Sequence, residues 1–270
     1  NFPIAGYETP AGAMAFWDLL CPEVANLLAD TQRPSQIAPM PESFGRSTFL
    51  FRPASPQTRV ALTVDIEAPF DAYVTFRQAT MAAFEASSEG PLLPLAGVLD
   101  QVQRWVTNPG WTPPESAPPA DEHMYATLLD HLARCALVAQ GEADHFRGKI
   151  PFARRFFAHH RWGEAGVLDV LEGSSLPSVR VALSALEGAE AEVHVVLTNY
   201  LIMKLWGVPL VRQGTIEGGT FELLRRLGAA LYLAGALTRA HGGALSADHL
   251  VAALAFADVV YRVNASPAPR

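Results

Sequence analysis

Apolar side chains recur at intervals of three and four along most of this chain, and that spacing predicts helices before any residue is given a task. In "DAYVTFRQATMAAFEAS" the residues Tyr73, Phe76, Thr80, Met81 and Phe84 gather on one face, which a stable helix must bury. A second segment, "LPLAGVLDQVQRWV", follows Pro91, and a third is "EHMYATLLDHLARCALVAQ". "FARRFFAHH" and a short "EAGVLDVLEG", ended by Gly173, come next. Three long segments then close the sequence. The first runs from about Ser178 to Trp206 with a break near Gly188. The second starts around Thr220 as N-cap and stops at Gly242 and Gly243, where a C-cap places glycine. The third opens with Ser246 as N-cap and Asp248 in the first turn, where the helix dipole favours negative charge; it continues to about Val263.

Two stretches break this pattern. Between Arg33 and Glu67 the chain is rich in proline, and the β-friendly runs "TFLF" and "RVALTV" are separated by "RPASPQT"; a loop followed by a small hairpin near residues 47–66 is expected. "NPGWTPPESAPPA", Asn108 to Ala120, carries five prolines and no apolar periodicity, which reads as a linker or surface excursion. No period of 20 to 50 residues repeats, so a solenoid is not expected. The fold class that follows is all-α, an irregular multi-helix bundle with a minor β-hairpin. It divides into an amino-terminal helical region, 1–107, and a carboxyl-terminal bundle, 120–270, packed as one globular unit.

Composition narrows the function classes. Half of the 270 residues are apolar, enough for a sizeable core. The net charge of −7, with no basic run longer than two residues, argues against nucleic acid or an anionic membrane as partner. Two cysteines 114 positions apart give neither a disulfide framework nor a CxxC pair, so a reducing, cytoplasmic setting is expected. The longest uncharged apolar run of the last third, Leu227 to Thr238, has 12 residues and is too short to span a membrane. The opening "NFPIAGYETPAG" has neither the basic start nor the apolar stretch of a signal peptide. It begins with Asn rather than Met, which points to the carboxyl part of something longer.

Several constellations bear chemistry. Cys21 stands before Pro22 and Glu23 at the mouth of an apolar helix in "AFWDLLCPEVANLLAD", where helix-end dipoles favour a thiolate or a metal; a small buried residue is the plain alternative. His131 and Cys135 lie four apart on a helix, with His123 and Asp130 nearby, a spacing that puts two ligands on one face; buried packing of Cys135 is the plainer reading. Glu190 and His194 share that spacing, and Asn199 and Tyr200 interrupt an otherwise apolar helix. An amide and a phenol buried there cost about 1–3 kcal/mol each if unsatisfied, so either they brace the helix register or they face a ligand. A di-iron centre would need two Glu-x-x-His motifs and two further glutamates, and only fragments are present. His159 and His160 follow "FARRFF" and precede Arg161 and Trp162, a basic and aromatic mixture that holds an anionic or nucleotide-like group or simply forms a surface helix. No P-loop, Rossmann, GxSxG or HExxH motif is found in the sequence.

Taken in order, these segments resemble the bacterial flagellin lysine N-methylase family. The likeness rests on Cys21-Pro22-Glu23, on Thr198-Asn199-Tyr200-Leu201, on "LLRRLGAALYLAGALTRAHGG" and on "LSADHLVAALAFADVVYRVN", with "VTFRQATMAAFEASSEGPLLPLAGVLDQV" similar to the family's middle helices and "NFP" to the end of its cysteine-rich segment. Two departures stand out. The cysteine cluster that precedes this region in the family is missing, and Thr198 takes the place of a Glu. The resemblance implies methyl transfer from S-adenosylmethionine to a surface lysine of a flagellin-like protein. It further implies Cys21 as a metal ligand; for that reaction Asn199 and Tyr200 are the candidates to orient the amine, and Glu23 and His160 the candidate cofactor-binding residues. An iron–sulfur cluster takes about four cysteines, so its remaining ligands would lie outside this chain. Two other classes stay open: a non-catalytic helical binding or scaffold protein, and a metal-dependent helical oxidoreductase built on His131, Cys135, Glu190 or His194.

Overall fold

A computed structural model describes residues 4–9, 12–17, 28, 59–87, 90–108, 110–116, 118–142, 144–148, 150–151, 189, 191–206, 215–241 and 243–263. Within these the chain is mostly helical with minor antiparallel β structure. The expected hairpin is formed by β3 (Arg59–Ala61) and β4 (Glu67–Pro69), with Val60 opposite Ala68. Its first strand lies within "RVALTV"; residues 47–58 are outside the described residues. A further hairpin, β1 (Ile4–Thr9) against β2 (Gly12–Trp17), pairs Ile4 with Trp17 and Thr9 with Gly12. The helical periodicity that dominates the chain gave no sign of it.

The six long helices follow the apolar pattern. Helix α1 (Phe70–Ala86) buries Tyr73, Phe76, Thr80, Met81 and Phe84, the face marked by their spacing. It ends at Ser87, whose hydroxyl donates to the Gly90 carbonyl at 2.8 Å. Gly90 has φ 91°, a left-handed conformation that glycine adopts without a side-chain clash, and the turn leads into α2 (Leu92–Thr107). The proline-rich stretch that follows packs back along α2: Trp111 meets Trp105 edge-on at 6.4 Å, Pro113 is buried, and Pro118 lies against Gly97. Asp121 caps α3 (Glu122–Gly141) through the Met124 amide at 2.8 Å.

Helix α4 (Ala191–Trp206) is the second half of the expected segment from Ser178; residues 178–188 are outside the described residues. Helix α5 (Ile216–His241) begins earlier than expected. Its N-terminal cap is Thr215, which accepts from the Gly218 amide at 3.0 Å, and Thr220 instead sits inside the helix with its hydroxyl on the Ile216 carbonyl at 2.8 Å. A threonine serves either role; the cap falls where the backbone leaves helical geometry. Residues Leu227 to Thr238, the apolar run, are all buried. Ser246 caps α6 (Ala247–Val263) by accepting from the His249 amide at 3.2 Å, as expected.

The chain resolves into two compact units, each assembled from separated stretches. Unit 1 comprises 1–21, 32–128 and 198–223; unit 2 comprises 22–31, 129–197 and 224–270. The core of unit 1 is aromatic, with Phe70, Tyr73, Phe76, Phe84 and Trp105 all buried. Each large side chain removed from water contributes about 1.5–3 kcal/mol. The core of unit 2 is built from small and aliphatic residues, among them Ala229, Ala230, Leu231, Ala252, Ala253 and Leu254. Small residues let backbones approach: a Cβ added at Gly228 would lie 2.6 Å from the Cβ of Cys135 and 3.0 Å from the Leu132 carbonyl oxygen. No helix among the described residues is long and apolar enough to cross a membrane.

Candidate functional site

In unit 1 a narrow crevice is lined by Phe76, Arg77, Thr80 and Met81 of α1 and by Leu205 of α4. It is too tight to admit a water molecule. Two of its walls are polar, although the residues are almost fully buried: Arg77 is 4% exposed and Thr80 1%. The Arg77 guanidinium lies over the ring of Tyr73, 5.5 Å from its centroid. That contact offsets part of the cost of taking a cation out of water.

Thr80 differs from five of the other helical threonines. The hydroxyls of Thr75, Thr107, Thr127, Thr220 and Thr238 each donate to the carbonyl four residues earlier, at 2.7 to 3.1 Å. This back-bond is the local solution for a hydroxyl with no other partner in a helix. The Thr80 hydroxyl, buried and on the cleft wall, makes no hydrogen bond. Gln101, on α2 in the same unit, is wholly buried and neither its amide nitrogen nor its oxygen is hydrogen-bonded.

Helix α4 carries the polar pair marked by the sequence. Asn199 is 3% exposed and Tyr200 wholly buried, both within unit 1. The Lys204 ammonium lies 5.3 Å from the centroid of the Tyr200 ring. The same helix reaches the cleft through Leu205, so the pair and the cleft wall stand on consecutive turns of one element. Cys21, Glu23 and His160 are outside the described residues, as are His159, Arg161, Trp162 and Glu190.

Polar groups in unit 2 are arranged differently. Glu142 accepts from Arg225 at 2.6 Å and from the Tyr261 hydroxyl at 3.1 Å, while the Arg225 guanidinium sits 4.4 Å from the Tyr261 ring centroid. Burial, then the neighbouring Glu142 carboxylate, pushes the Tyr261 phenol well above its usual pKa. Arg226 pairs with Asp258 at 3.2 Å, the aspartate being almost fully buried. Tyr232 is fully buried and its hydroxyl makes no hydrogen bond; burial lifts its pKa to about 12.

The proposed helix-face metal pair does not converge. Cys135 faces inward against Gly228, and burial raises its thiol pKa, whereas His131 is exposed. Asp130 is engaged by Arg134 at 2.6 Å. His241 and His249 stack at 4.9 Å; the pKa of His249 is lowered first by burial, then by the charge of His241. No group of three or more His, Cys, Asp or Glu placed to hold a metal is present among the described residues.

Sequence reasoning passed over Arg77, Gln101, Asp258 and the Glu142–Arg225–Tyr261 cluster. Asp258 had a signal, a lone acid inside "LVAALAFADVVY". Thr80 lies on the buried face that its spacing marks, but that spacing does not encode whether its hydroxyl bonds back to its own helix. No family model, curated protein or solved structure matches this chain.

Proposed function

We propose that this chain is the helical part of a protein-lysine N-methyltransferase that uses S-adenosylmethionine and acts on surface lysines of a flagellin-like partner. The observation that carries the reading is the placement of Asn199 and Tyr200 on the buried turns of α4, the helix whose next turn walls the cleft at Leu205. They belong to the ordered segments that resemble the lysine N-methylases. When bound, S-adenosylmethionine supplies an electrophilic methyl group on a sulfonium. The chain's own residues must hold a neutral amine in line with that group and keep water away. Desolvation favours the neutral amine, and alignment supplies most of the rate. Asn199 and Tyr200, buried as they are, would act by fixing the wall of the site. The chain holds two cysteines, short of the roughly four that an iron–sulfur cluster takes, and no step is assigned to such a cluster. Cys21 would be one ligand of a set completed outside this chain.

The test is transfer of labelled methyl from S-adenosylmethionine to flagellin, using the full-length protein. Tyr200→Phe and Asn199→Ala are expected to lower the rate by about tenfold or more, as small displacements of an aligned pair do. Unchanged rates in both variants would remove them from the site. The absence of any S-adenosylmethionine-dependent rise in melting temperature would remove the cofactor.

A second reading, a helical binding protein, is favoured by exposed apolar side chains in unit 1. Val64, in the turn of the β3–β4 hairpin, is 92% exposed and Phe221, on α5, is 64% exposed. The two segments are tied by the Glu217 amide donating to the Leu62 carbonyl at 3.0 Å. Exposed apolar surface of this kind marks a docking face when it is contiguous. In that case Val64→Ser with Phe221→Ser abolishes partner binding without lowering stability, and S-adenosylmethionine has no effect on either.

A further inference from the structure

We infer that the exposed corner of unit 1 where the β3–β4 turn meets the start of α5 is a docking face for a basic amphipathic helix. Val64 and Phe221 are its apolar anchors, and Asp65 and Glu217 are the charges that meet the partner's lysines and arginines. The inference deepens the binding-protein reading and rests on it; methyl transfer is not required.

The anchors have no local reason to face water. Val64 occupies a hairpin turn, where Gly, Asn, Asp and Pro suit the backbone, and it is 92% exposed. Phe221 stands on α5 at 64% exposure, with an aromatic surface that an interface can bury. The turn is held in shape: the amides of Leu62 and Thr63 both donate to the Ile66 carbonyl, at 2.7 and 3.2 Å, and the Asp65 amide donates to the Thr63 hydroxyl at 3.3 Å. The Glu217 amide, donating to the Leu62 carbonyl, ties it to the first turn of α5. Val64 lies two residues from that contact and Phe221 one helical turn from it. At about 3.5 Å per extended residue and 1.5 Å per helical residue, the anchors stand within roughly 20 Å of each other, a distance that a helix of about four turns covers.

Charge decides the occupant. Segments 59–71 and 215–222 hold five acids, Asp65, Glu67, Asp71, Glu217 and Glu222, and one cation, Arg59, which pairs with Glu67 at 2.9 Å. Asp65 adjoins Val64, and Glu217 lies four residues before Phe221 on the same face of α5. Both acids are exposed. A second copy docked here about a two-fold axis would set the acidic face against itself, and an anionic lipid surface is repelled for the same reason. An apolar stripe flanked by lysine or arginine satisfies anchors and charges together.

The experiment measures the affinity of the full chain by calorimetry for three probes of about 18 residues each. They are an amphipathic leucine–lysine helix, its leucine–glutamate counterpart, and the leucine–lysine composition reordered so that the leucines scatter around the helix. The first is expected to bind with a Kd of about 10 μM or tighter, and the other two at least about tenfold more weakly. Val64→Ser with Phe221→Ser is expected to weaken the first by about tenfold or more. Asp65→Asn with Glu217→Gln is expected to weaken it about fivefold in about 50 mM salt, a difference that closes near about 0.5 M. All four side chains are exposed, so the urea midpoints of both double variants stay close to the wild-type value. Binding that is lost with the anchors but indifferent to salt and to Asp65→Asn with Glu217→Gln leaves the binding-protein reading standing and overturns the basic partner. Self-association in sedimentation that Val64→Ser with Phe221→Ser abolishes assigns the face to a second copy and overturns the proposal. Equal binding of the glutamate or the scattered peptide, or affinity unchanged by loss of the anchors, also overturns it. If no peptide binds and the chain stays monomeric, the binding-protein reading falls with it.

Discussion

The two compact units differ in how their polar side chains are paired. In unit 2 the charged groups answer one another: Glu142 holds Arg225 and Tyr261, and Asp258 holds Arg226. In unit 1 two buried side chains are left without hydrogen bonds, the Thr80 hydroxyl and both ends of the Gln101 amide. A paired buried network rigidifies and specifies a core, whereas a buried group without partners costs stability and persists where something else uses it. Unit 2 is therefore braced by pairs that unit 1 lacks at Thr80 and Gln101. Within unit 2 the Tyr232 hydroxyl and the His249 Nδ1 also make no hydrogen bond, and Tyr232 provides a control for the contrast.

If unit 2 is braced by its pairs, breaking one should have the largest effect. Asp258→Ala leaves Arg226 buried without its carboxylate and is expected to lower unfolding free energy by about 3 kcal/mol, measured by urea denaturation; a loss below half of that would show the pair to be ornamental. Next is the close approach at Gly228. Gly228→Ala places a methyl 2.6 Å from the Cys135 Cβ and is expected to cost about 2 kcal/mol, since the helices must part. Gln101→Met should act in the opposite direction, raising stability by about 1 kcal/mol as an amide without partners is removed from the unit 1 core. A loss instead of a gain would erase the difference between the units.

Tyr232→Phe is the smallest change at neutral pH and the most informative at high pH. The unfolded phenol titrates near pH 10 and the native one near 12. Across that interval the unfolded state gives up a proton that the native state retains, so stability present below pH 10 drains away as pH rises toward 12. The variant should lose part of that decline, read as the shift in urea midpoint between pH 9 and pH 11. A wild-type midpoint that is flat over this range would mean that the hydroxyl is wetter than its burial suggests.

Much of the helical scaffold was legible along the chain. The face of α1, the apolar centre of α5 and the Ser246 cap of α6 all follow from period and cap chemistry, which act over a turn or less. Thr220 shows where such reasoning stops: it has the right chemistry for a cap and sits inside the helix, because Thr215 takes the position. The β1–β2 hairpin was invisible for a related reason, since short strands stabilised by pairing carry a weaker linear signal than an amphipathic helix. The polar pair at Asn199 and Tyr200 stood out as an interruption of an apolar run. Arg77 and Gln101 did not, because a polar residue beside a buried face looks the same on paper whether it turns outward or inward.

What the sequence determined by itself is therefore the all-α character, the Ser246 cap and the faces that had to be buried, since these depend on neighbours within four residues. Tertiary structure alone decided that 1–21, 32–128 and 198–223 share one unit, and that Arg77, Thr80 and Leu205 line one cleft. It also decided that Glu142 meets Tyr261 from 119 residues away. Those arrangements turn on which surfaces meet and which partners each polar atom finds there, and such partners are chosen in space, at separations that no local periodicity encodes.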